Sequence, residues 1–369
     1  MRILIAPDKF KGALDAREVA ENIARGITGV LRGVRIDILP MADGGDGTAA
    51  VISDALGGSW LACKAHDPLG RKIEARYAWV DNRKLAVMEM SEAAGMRRLS
   101  ANELDPERAN TLGVGEMILD AAKRGSTKII VGLGGSATND GGFGMAKAIG
   151  FKFFDQGGNG IERHPDLSSL ARIEFPRTLS LPKIIAAVDV RNPLLGENGA
   201  TCVFGPQKGA TADKIAILER ALVKLADVVA KQSGSDYRND PGAGAAGGLG
   251  FGLMTFCSAQ IRPGFELVAE LAGLESKMRE ADLVITGEGS LDRQTLSGKT
   301  PFGVAQLARK LGKRVVSMVG RASGEREVRD LFDKIYVVSD AQLPEAENIA
   351  RAAEFLRAAG GELAKSFNI

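Results

Sequence analysis

Histidine and cysteine are scarce: the 369 residues contain two histidines, His66 and His164, and three cysteines, Cys63, Cys202 and Cys257. The cysteines lie far apart without a CxxC pair, and both histidines are isolated, so a zinc centre is not expected. A histidine-based acid–base mechanism would have to rest on His66 or His164, and each reads as a surface or turn residue. An excess of one charge is also missing. Lys and Arg number 48 against 46 Asp and Glu, a net charge of +2 with no basic block, which argues against nucleic acid as a partner. No apolar run approaches the roughly 20 residues of a membrane span, so no membrane partner is expected. The opening "MRILIAPDKF" is cut off by Pro7 and Asp8 and reads as a first strand rather than a signal peptide, making the cytoplasm the expected location. Neither a G-x-S-x-G elbow nor an H-E-x-x-H pair is present.

What the chain does have is the length for two domains and a globular balance of 45% apolar and 25% charged residues. "RILIAPD" reads as a buried parallel strand. Residues 15–32 place Val19, Ile23, Ile27 and Val30 on one helical face, with Asp15 and Glu18 spaced as a capping box, and "VRIDILPMADGG" follows as a second strand. This is βαβ grammar and implies a parallel sheet. After residue 60 the pattern changes to short strands at 74–80 and 84–90 around an Asp81-Asn82 turn, which argues for antiparallel pairing. A helix at 112–124, the strand "KIIVGLGG", a helix from near 141, the strand "PKIIAAVDV" and a helix at 212–232 come next. From Asp282 the βαβ grammar returns: strand "ADLVITGEG", helix 301–311, strands "KRVVSMVG" and "KIYVVSD", and a helix from about 345. The expectation is an α/β protein of two α/β domains. Residues 1–60 and 285–369 form a discontinuous parallel-sheet domain, and 61–284 form an inserted second one.

Its 46 glycines are clustered, as in loops that approach ligands closely. "SGKTP" at 297–301 has the Gly-Lys-Thr of a P-loop, but Arg293 stands where the first glycine should be, so it is not a Walker A loop. "VGLGGSATNDGG" at 131–142 satisfies the G-x-G-x-x-A dinucleotide fingerprint with Gly132, Gly134 and Ala137, and Asp155 follows about twenty residues on. A NAD(P)-dependent oxidoreductase of a small hydroxy acid is therefore the rival reading. Against it, Asn139, Asp140, Gly141 and Gly142 occupy the place of a first helical turn, where Asp140 would repel phosphate. The tract 242–252, "GAGAAGGLGFG", suits either a hinge or a close packing site. Seven acids, Asp8, Asp43, Asp46, Asp140, Asp189, Glu288 and Asp292, fall at or beyond the ends of expected strands. Ligands of open α/β sheets bind at that edge. Carboxylates beside phosphate-type loops suggest Mg2+ and phosphoryl transfer. A non-catalytic sensor of hydroxy acids is a third class, but no DNA-binding segment is recognisable to serve one.

"APDKFKGAL", "ADGGDGT", "VGLGGSATNDGG", "AAVDVRNPLLGENGA", "FGPQKGA", "PGAGAAGGLGFG" and "ITGEGSLDRQTLSGKTP" resemble, in this order, the motif string of the type I glycerate kinase family, from residue 3 to about 320. The resemblance implies an ATP- and Mg2+-dependent kinase acting on D-glycerate at its 2-hydroxyl. It also implies two α/β domains, one Rossmann- or flavodoxin-like, with the active site in the cleft between. D-glycerate and ATP are the expected partners, with a homodimer left open. Lys9, Asp46 and Leu112 stand where the family commonly has Ser, Glu and Arg, and "VGRASGE" is atypical.

The expected roles follow. ATP phosphates lie along Gly134, Gly135, Ser136 and Thr138, with Gly298-Lys299-Thr300 before Pro301, and Lys299 above all, as a further phosphate or substrate anchor. Lys11, Arg191, Asn192 and Lys208 hold the substrate. Asp189 takes the hydroxyl proton or orients it, and Lys9 and Asp43 share the catalytic region. Asp43, Glu288 and Asp292 bind Mg2+ directly or through water.

Overall fold

The structure, a computed structural model, describes residues 1–293, 298–323 and 325–367. The chain divides into two compact units. One comprises Met1–Asp43, Ala50–Leu56 and Pro263–Ile369; the other comprises Gly44–Ala49 and Gly57–Arg262. The chain thus returns to the first unit at Pro263, where the sequence suggested 285. The reason is local: the helix Gly264–Ala272 sets its Phe265 ring against Gly303, on the helix Thr300–Lys310 of the same unit.

Strands in chain order are β1 (Arg2–Ile5), β2 (Arg35–Ile38), β3 (Ser59–His66), β4 (Lys72–Val80), β5 (Leu85–Glu89), β6 (Lys128–Gly132) and β7 (Lys152–Asp155). They continue as β8 (Leu170–Glu174), β9 (Lys183–Val188), β10 (Gln260–Pro263), β11 (Leu283–Leu291), β12 (Arg314–Ala322) and β13 (Lys334–Val337).

The first unit is built on a five-stranded sheet in the order β13-β12-β11-β1-β2, with every neighbouring pair parallel. Counted within the unit, that is the doubly wound order 2-1-3-4-5, whose direction of winding reverses between its first and third strands, here β1 and β11. The apolar run of β1 fits burial on both faces, and Ile3, Leu4 and Ile5 are all buried. Its first helix, Ala16–Thr28, starts from the expected capping box: Glu18 donates its N–H to Asp15 Oδ1 at 2.8 Å and Asp15 donates its own to Glu18 Oε2 at 2.9 Å. Val19, Ile23 and Ile27 on that helix join Ile3, Ile5, Ile285, Met318 and Leu356 in one core.

The second unit carries a six-stranded sheet in the order β10-β9-β6-β5-β4-β3. β4 and β5 pair antiparallel as the short-strand pattern suggested, β3 adds an antiparallel edge strand, and β5, β6 and β9 run parallel. Glu89, Gly132 and Ala187 are cross-strand neighbours in one row at the carboxyl ends of those three strands. Phe143, Phe151, Phe153 and Phe256 pack edge-on or tilted beneath the sheet, within a core that includes Ile129, Val131 and Ile184. Among the described residues, no helix is long and apolar enough to cross a membrane.

Candidate active site

In the parallel unit, the reversal between β1 and β11 puts the segment after β1 beside the end of β11. Asp8 donates its N–H to the Gly287 carbonyl at 2.8 Å, which extends the β1–β11 pairing to the residue before Glu288. The Asp8 carboxylate accepts the Lys9 N–H at 2.7 Å and the Thr300 hydroxyl at 2.6 Å. Thr300 is the first residue of the helix Thr300–Lys310, with Lys299 at its N-cap in extended backbone (φ −65°, ψ 165°) and Pro301 in its first turn. The threonine of the Gly-Lys-Thr thus serves Asp8 through its side chain. Burial, and then the nearby charge of Asp43, push the Asp8 carboxyl up to about 7, against the bonds from Thr300 and Lys9. Glu288 is buried, and Lys9, Asp43, Asp292 and Lys299 are half-buried around the same strand ends. Lys11 is exposed. The sequence segment 294–297, between Asp292 and Lys299, lies outside the described residues.

Among the described residues no three His, Cys, Asp or Glu side chains gather as a ready-made metal cage, so Asp43, Glu288 and Asp292 do not form one. The donor set nevertheless fits a hard cation. It is all oxygen, and the mutual repulsion of Asp8 and Asp43 is of the kind a divalent ion relieves.

In the mixed unit the groups at the strand ends are largely backbone. The loop after β6 lies directly against the segment Gly44–Ala49: a Cβ on Gly134 would fall 2.5 Å from the Gly45 Cα. No other residue type permits that approach. Ser91 donates its hydroxyl to Asp46 Oδ1 at 2.8 Å, and the buried Glu89 accepts the N–H groups of Gly47 and Ala49 at 2.9 and 3.0 Å. Burial holds the Glu89 carboxyl above its ordinary value. On its other flank the loop is held by Met96 N–H to Gly135 O and Ala137 N–H to Ala94 O, each 2.9 Å.

Further along, the loop turns inward. Asp140 is fully buried and accepts Thr111 N–H at 2.9 Å, the Thr111 hydroxyl at 2.8 Å, and the N–H groups of Gly142 and Gly144 at 3.1 and 3.0 Å. Of the seven strand-end acids, Asp140 is therefore a cap inside the core. Thr138 and Asn139 are also fully buried, and Thr138 Oγ1 and Asn139 Oδ1 have no hydrogen-bond partner among the described residues. The tract 242–252 proves to be a packing site. Ala246, Gly247 and Gly248 are successive left-handed residues, and a Cβ on Gly247 would sit 1.9 Å from the Thr138 carbonyl oxygen. Gly141 donates its N–H to Gly247 O at 3.0 Å.

Asp189 and Arg191 are exposed just beyond β9, and Asn192 is half-buried with its amide donating to Asn198 O at 2.8 Å. Lys208 departs from the expectation of a substrate contact: it is 1% exposed and its ammonium donates to Thr138 O at 2.7 Å. Burial pulls that amine down to about 7, partly offset by the charge of Asp140. His164, read from sequence as a surface or turn residue, is buried with Nε2 2.8 Å from Pro106 O, and burial lowers its pKa. Sequence reasoning gave no role to Glu89 and none of its own to Asp8, and it took Thr300 only as part of a Gly298-Lys299-Thr300 anchor, not as a partner of Asp8. The only signals were the Thr of Gly-Lys-Thr and an acid ending an apolar run.

The dinucleotide reading fails on this geometry. The fingerprint requires the strand to turn at once into a helix whose N-terminus meets pyrophosphate. Here the helix after β6 is Phe143–Ala148, ten residues beyond the strand, and its first N–H groups are already taken by Asp140. The comparisons agree. The family model for the Glycerate kinase family matches residues 3–368. The glycerate kinase of Bacillus subtilis (strain 168) is 39% identical, covering 100% of this chain and 98% of that protein. The glycerate 2-kinase of Escherichia coli (strain K12) is 42% identical, covering 87% and 85% respectively. A crystal structure from Salmonella typhimurium LT2, of a protein carrying the glycerate kinase 2 name, superposes with a TM-score of 0.87 at 38% identity, covering 100% of this chain and 98% of that one. On this agreement along its whole length, the chain belongs to the glycerate kinase family.

Proposed function

We propose that this protein transfers the γ-phosphoryl group of ATP to the 2-hydroxyl of D-glycerate, giving 2-phospho-D-glycerate and ADP. The reading rests on the end-to-end likeness to glycerate kinases, and the regiochemistry on the name of the Escherichia coli relative. In the mixed unit, Gly134, Gly135 and Ser136 are the segment that would follow the ATP phosphates, where close backbone approach is possible. Thr138 lies beneath that segment and would support it. Lys299, at a helix start in the parallel unit, would anchor phosphate. Lys11 and Arg191, both exposed, would hold the glycerate carboxylate, with Asn192 fixing the loop that carries Arg191.

Asp43, Glu288 and Asp292, with Asp8 beside Asp43, are the oxygen donors that would hold Mg2+ together with phosphate oxygens. When bound, that ion would neutralise charge on the β- and γ-phosphates. The 2-hydroxyl oxygen attacks the γ-phosphorus as the bond to the β–γ bridging oxygen breaks and ADP leaves with its electrons. Asp189 accepts the hydroxyl proton, a task a carboxylate can perform because a loose transition state demands little basicity. Lys9 would offset charge beside Asp8 and Asp43.

The test is D-glycerate with Mg·ATP, coupled through enolase alone and, separately, through phosphoglycerate mutase plus enolase. Phosphoenolpyruvate with enolase alone is expected. A signal that requires the mutase would move the reaction to the 3-hydroxyl, and no ADP in either assay would end the kinase reading.

A further inference from the structure

Lys208 is a costly residue where it lies. An ammonium removed from water is unfavourable by several kcal/mol unless it is well paired, and an apolar side chain would fill the space more cheaply. Its bonded partner is a backbone carbonyl, Thr138 O at 2.7 Å, on the segment that turns inward from Gly134–Ser136. The same carbonyl is crowded from elsewhere by Gly247, whose lack of a side chain is what lets the tract approach. Two residues later the loop is gripped again, through the four bonds to Asp140. Between those fixed points Thr138 Oγ1 and Asn139 Oδ1 have no partner among the described residues, and the Asn139 amide donates to Thr201 Oγ1 at 3.0 Å. That bond holds the residue after Thr138, so the Thr138 peptide itself is held at its carbonyl, by Lys208.

We propose that Lys208 is a positioning residue for ATP: its buried ammonium holds the Thr138 carbonyl inward and so orients the Gly134–Ser136 segment toward the phosphates. This rests on the reading above that the segment carries the phosphates. Lys208 touches neither ATP nor glycerate. Its loss therefore loosens nucleotide binding and leaves the hydroxy-acid side alone, the reverse of what a lysine gripping the glycerate carboxylate would do.

The experiment compares Lys208→Met and Lys208→Gln with wild type. Thermal melts would establish folding, calorimetry with AMP-PNP and Mg2+ would give nucleotide Kd, and steady-state kinetics would give separate KM values for ATP and D-glycerate. The expected result is a nucleotide Kd and an ATP KM raised about tenfold in Lys208→Met, as for a lost hydrogen bond to a charged group. The glycerate KM should stay within about twofold. Lys208→Gln, which keeps a donor, should fall between. A rise confined to the glycerate KM, unchanged constants in a folded Lys208→Met, or failure of both variants to fold would each overturn the proposal, the last in favour of a purely structural lysine. Ser136→Asp, which would set a negative charge on that segment, tests the underlying reading separately. If it leaves AMP-PNP binding intact, the phosphate assignment falls; if it weakens binding while Lys208→Met does not, only the role of Lys208 falls.

Discussion

At the strand ends of the parallel unit the groups available for chemistry are side chains: Asp8, Lys9, Asp43, Glu288, Asp292, Lys299 and Thr300. At those of the mixed unit they are mostly backbone, in two glycine loops stacked on each other and backed by a third glycine tract. The acids behave differently in the two places. Asp8 is pushed up to about 7 by burial and by Asp43, so its charge is poorly compensated within the chain. Asp140, buried completely, has four donors that tie it into the loop. An incompletely compensated acid at a switch point is a candidate for ligand chemistry, while a saturated one is architecture. Glycine calls for the same caution. Gly134 and Gly247 are required by neighbouring backbone whether or not phosphate is ever bound.

The strongest challenge to this contrast is Asp189, an exposed carboxylate in the unit where backbone otherwise dominates. Asp189→Asn should lower kcat on the order of 10²–10⁴-fold with little change in either KM. A near-wild-type kcat would remove Asp189 from proton transfer and leave the mixed unit without a side chain in the chemical step. Next comes stability. Gly247→Ala would drive a methyl group toward the Thr138 carbonyl in a left-handed residue and should cost about 3 kcal/mol or more in urea unfolding. Gly158→Ala is the control. It also has positive φ (+80°), but there is open space around it, so it should cost only about 1–2 kcal/mol. Equal losses would show that backbone crowding is not what demands glycine in the 242–252 tract.

A smaller effect is expected in the parallel unit, where a change of charge should be felt in activity before stability. Asp8→Asn keeps an acceptor for the Thr300 hydroxyl and removes the charge that Asp43 repels. Its kcat should fall at least about tenfold, while its urea midpoint at neutral pH stays the same or rises. A large drop in stability with kcat preserved would make Asp8 a cap for the helix Thr300–Lys310 and nothing more.

How much of this was legible beforehand depended on sequence separation. The capping box of Asp15 and Glu18, the antiparallel β4–β5 pair and the helices read at 112–124, 212–232 and 301–311 came from patterns spanning a few residues, and the helix edges stand to within a residue. The strand order did not. Nothing in "RILI" announces that β11, nearly three hundred residues away, lies beside it, so the switch point could not be located. The seven strand-end acids were visible as a class, but separating Asp140 from Asp8 required knowing which N–H groups face each. Lys208 was misread for a related reason. Lysine is almost never fully buried, and "FGPQKGA" carries no sign that its lysine points into the core. Thr300 was visible as part of an anchor, but its bond to Asp8, nearly three hundred residues away, left no local sign.

The subtlest test concerns that buried lysine and uses pH alone. The Lys208 amine titrates near 7 in the folded chain and at 10.5 when exposed. Between those values the unfolded chain carries a proton that the folded one lacks. Folding then releases a proton, and this residue's contribution to stability rises with pH. Below about 7 both states are charged and the cost of burial is felt in full. The stability of wild type relative to Lys208→Met should therefore increase between pH 7 and 9, on the order of 1–2 kcal/mol. The comparison is made by urea unfolding at each pH, so titrations common to both proteins, such as those of Cys63 and Tyr77, cancel in the difference. A flat difference would mean that Lys208 stays charged throughout, with Asp140 compensating it. The loop would then be held by an electrostatic strut, and the mixed unit would rely on side-chain charge as much as the parallel one does.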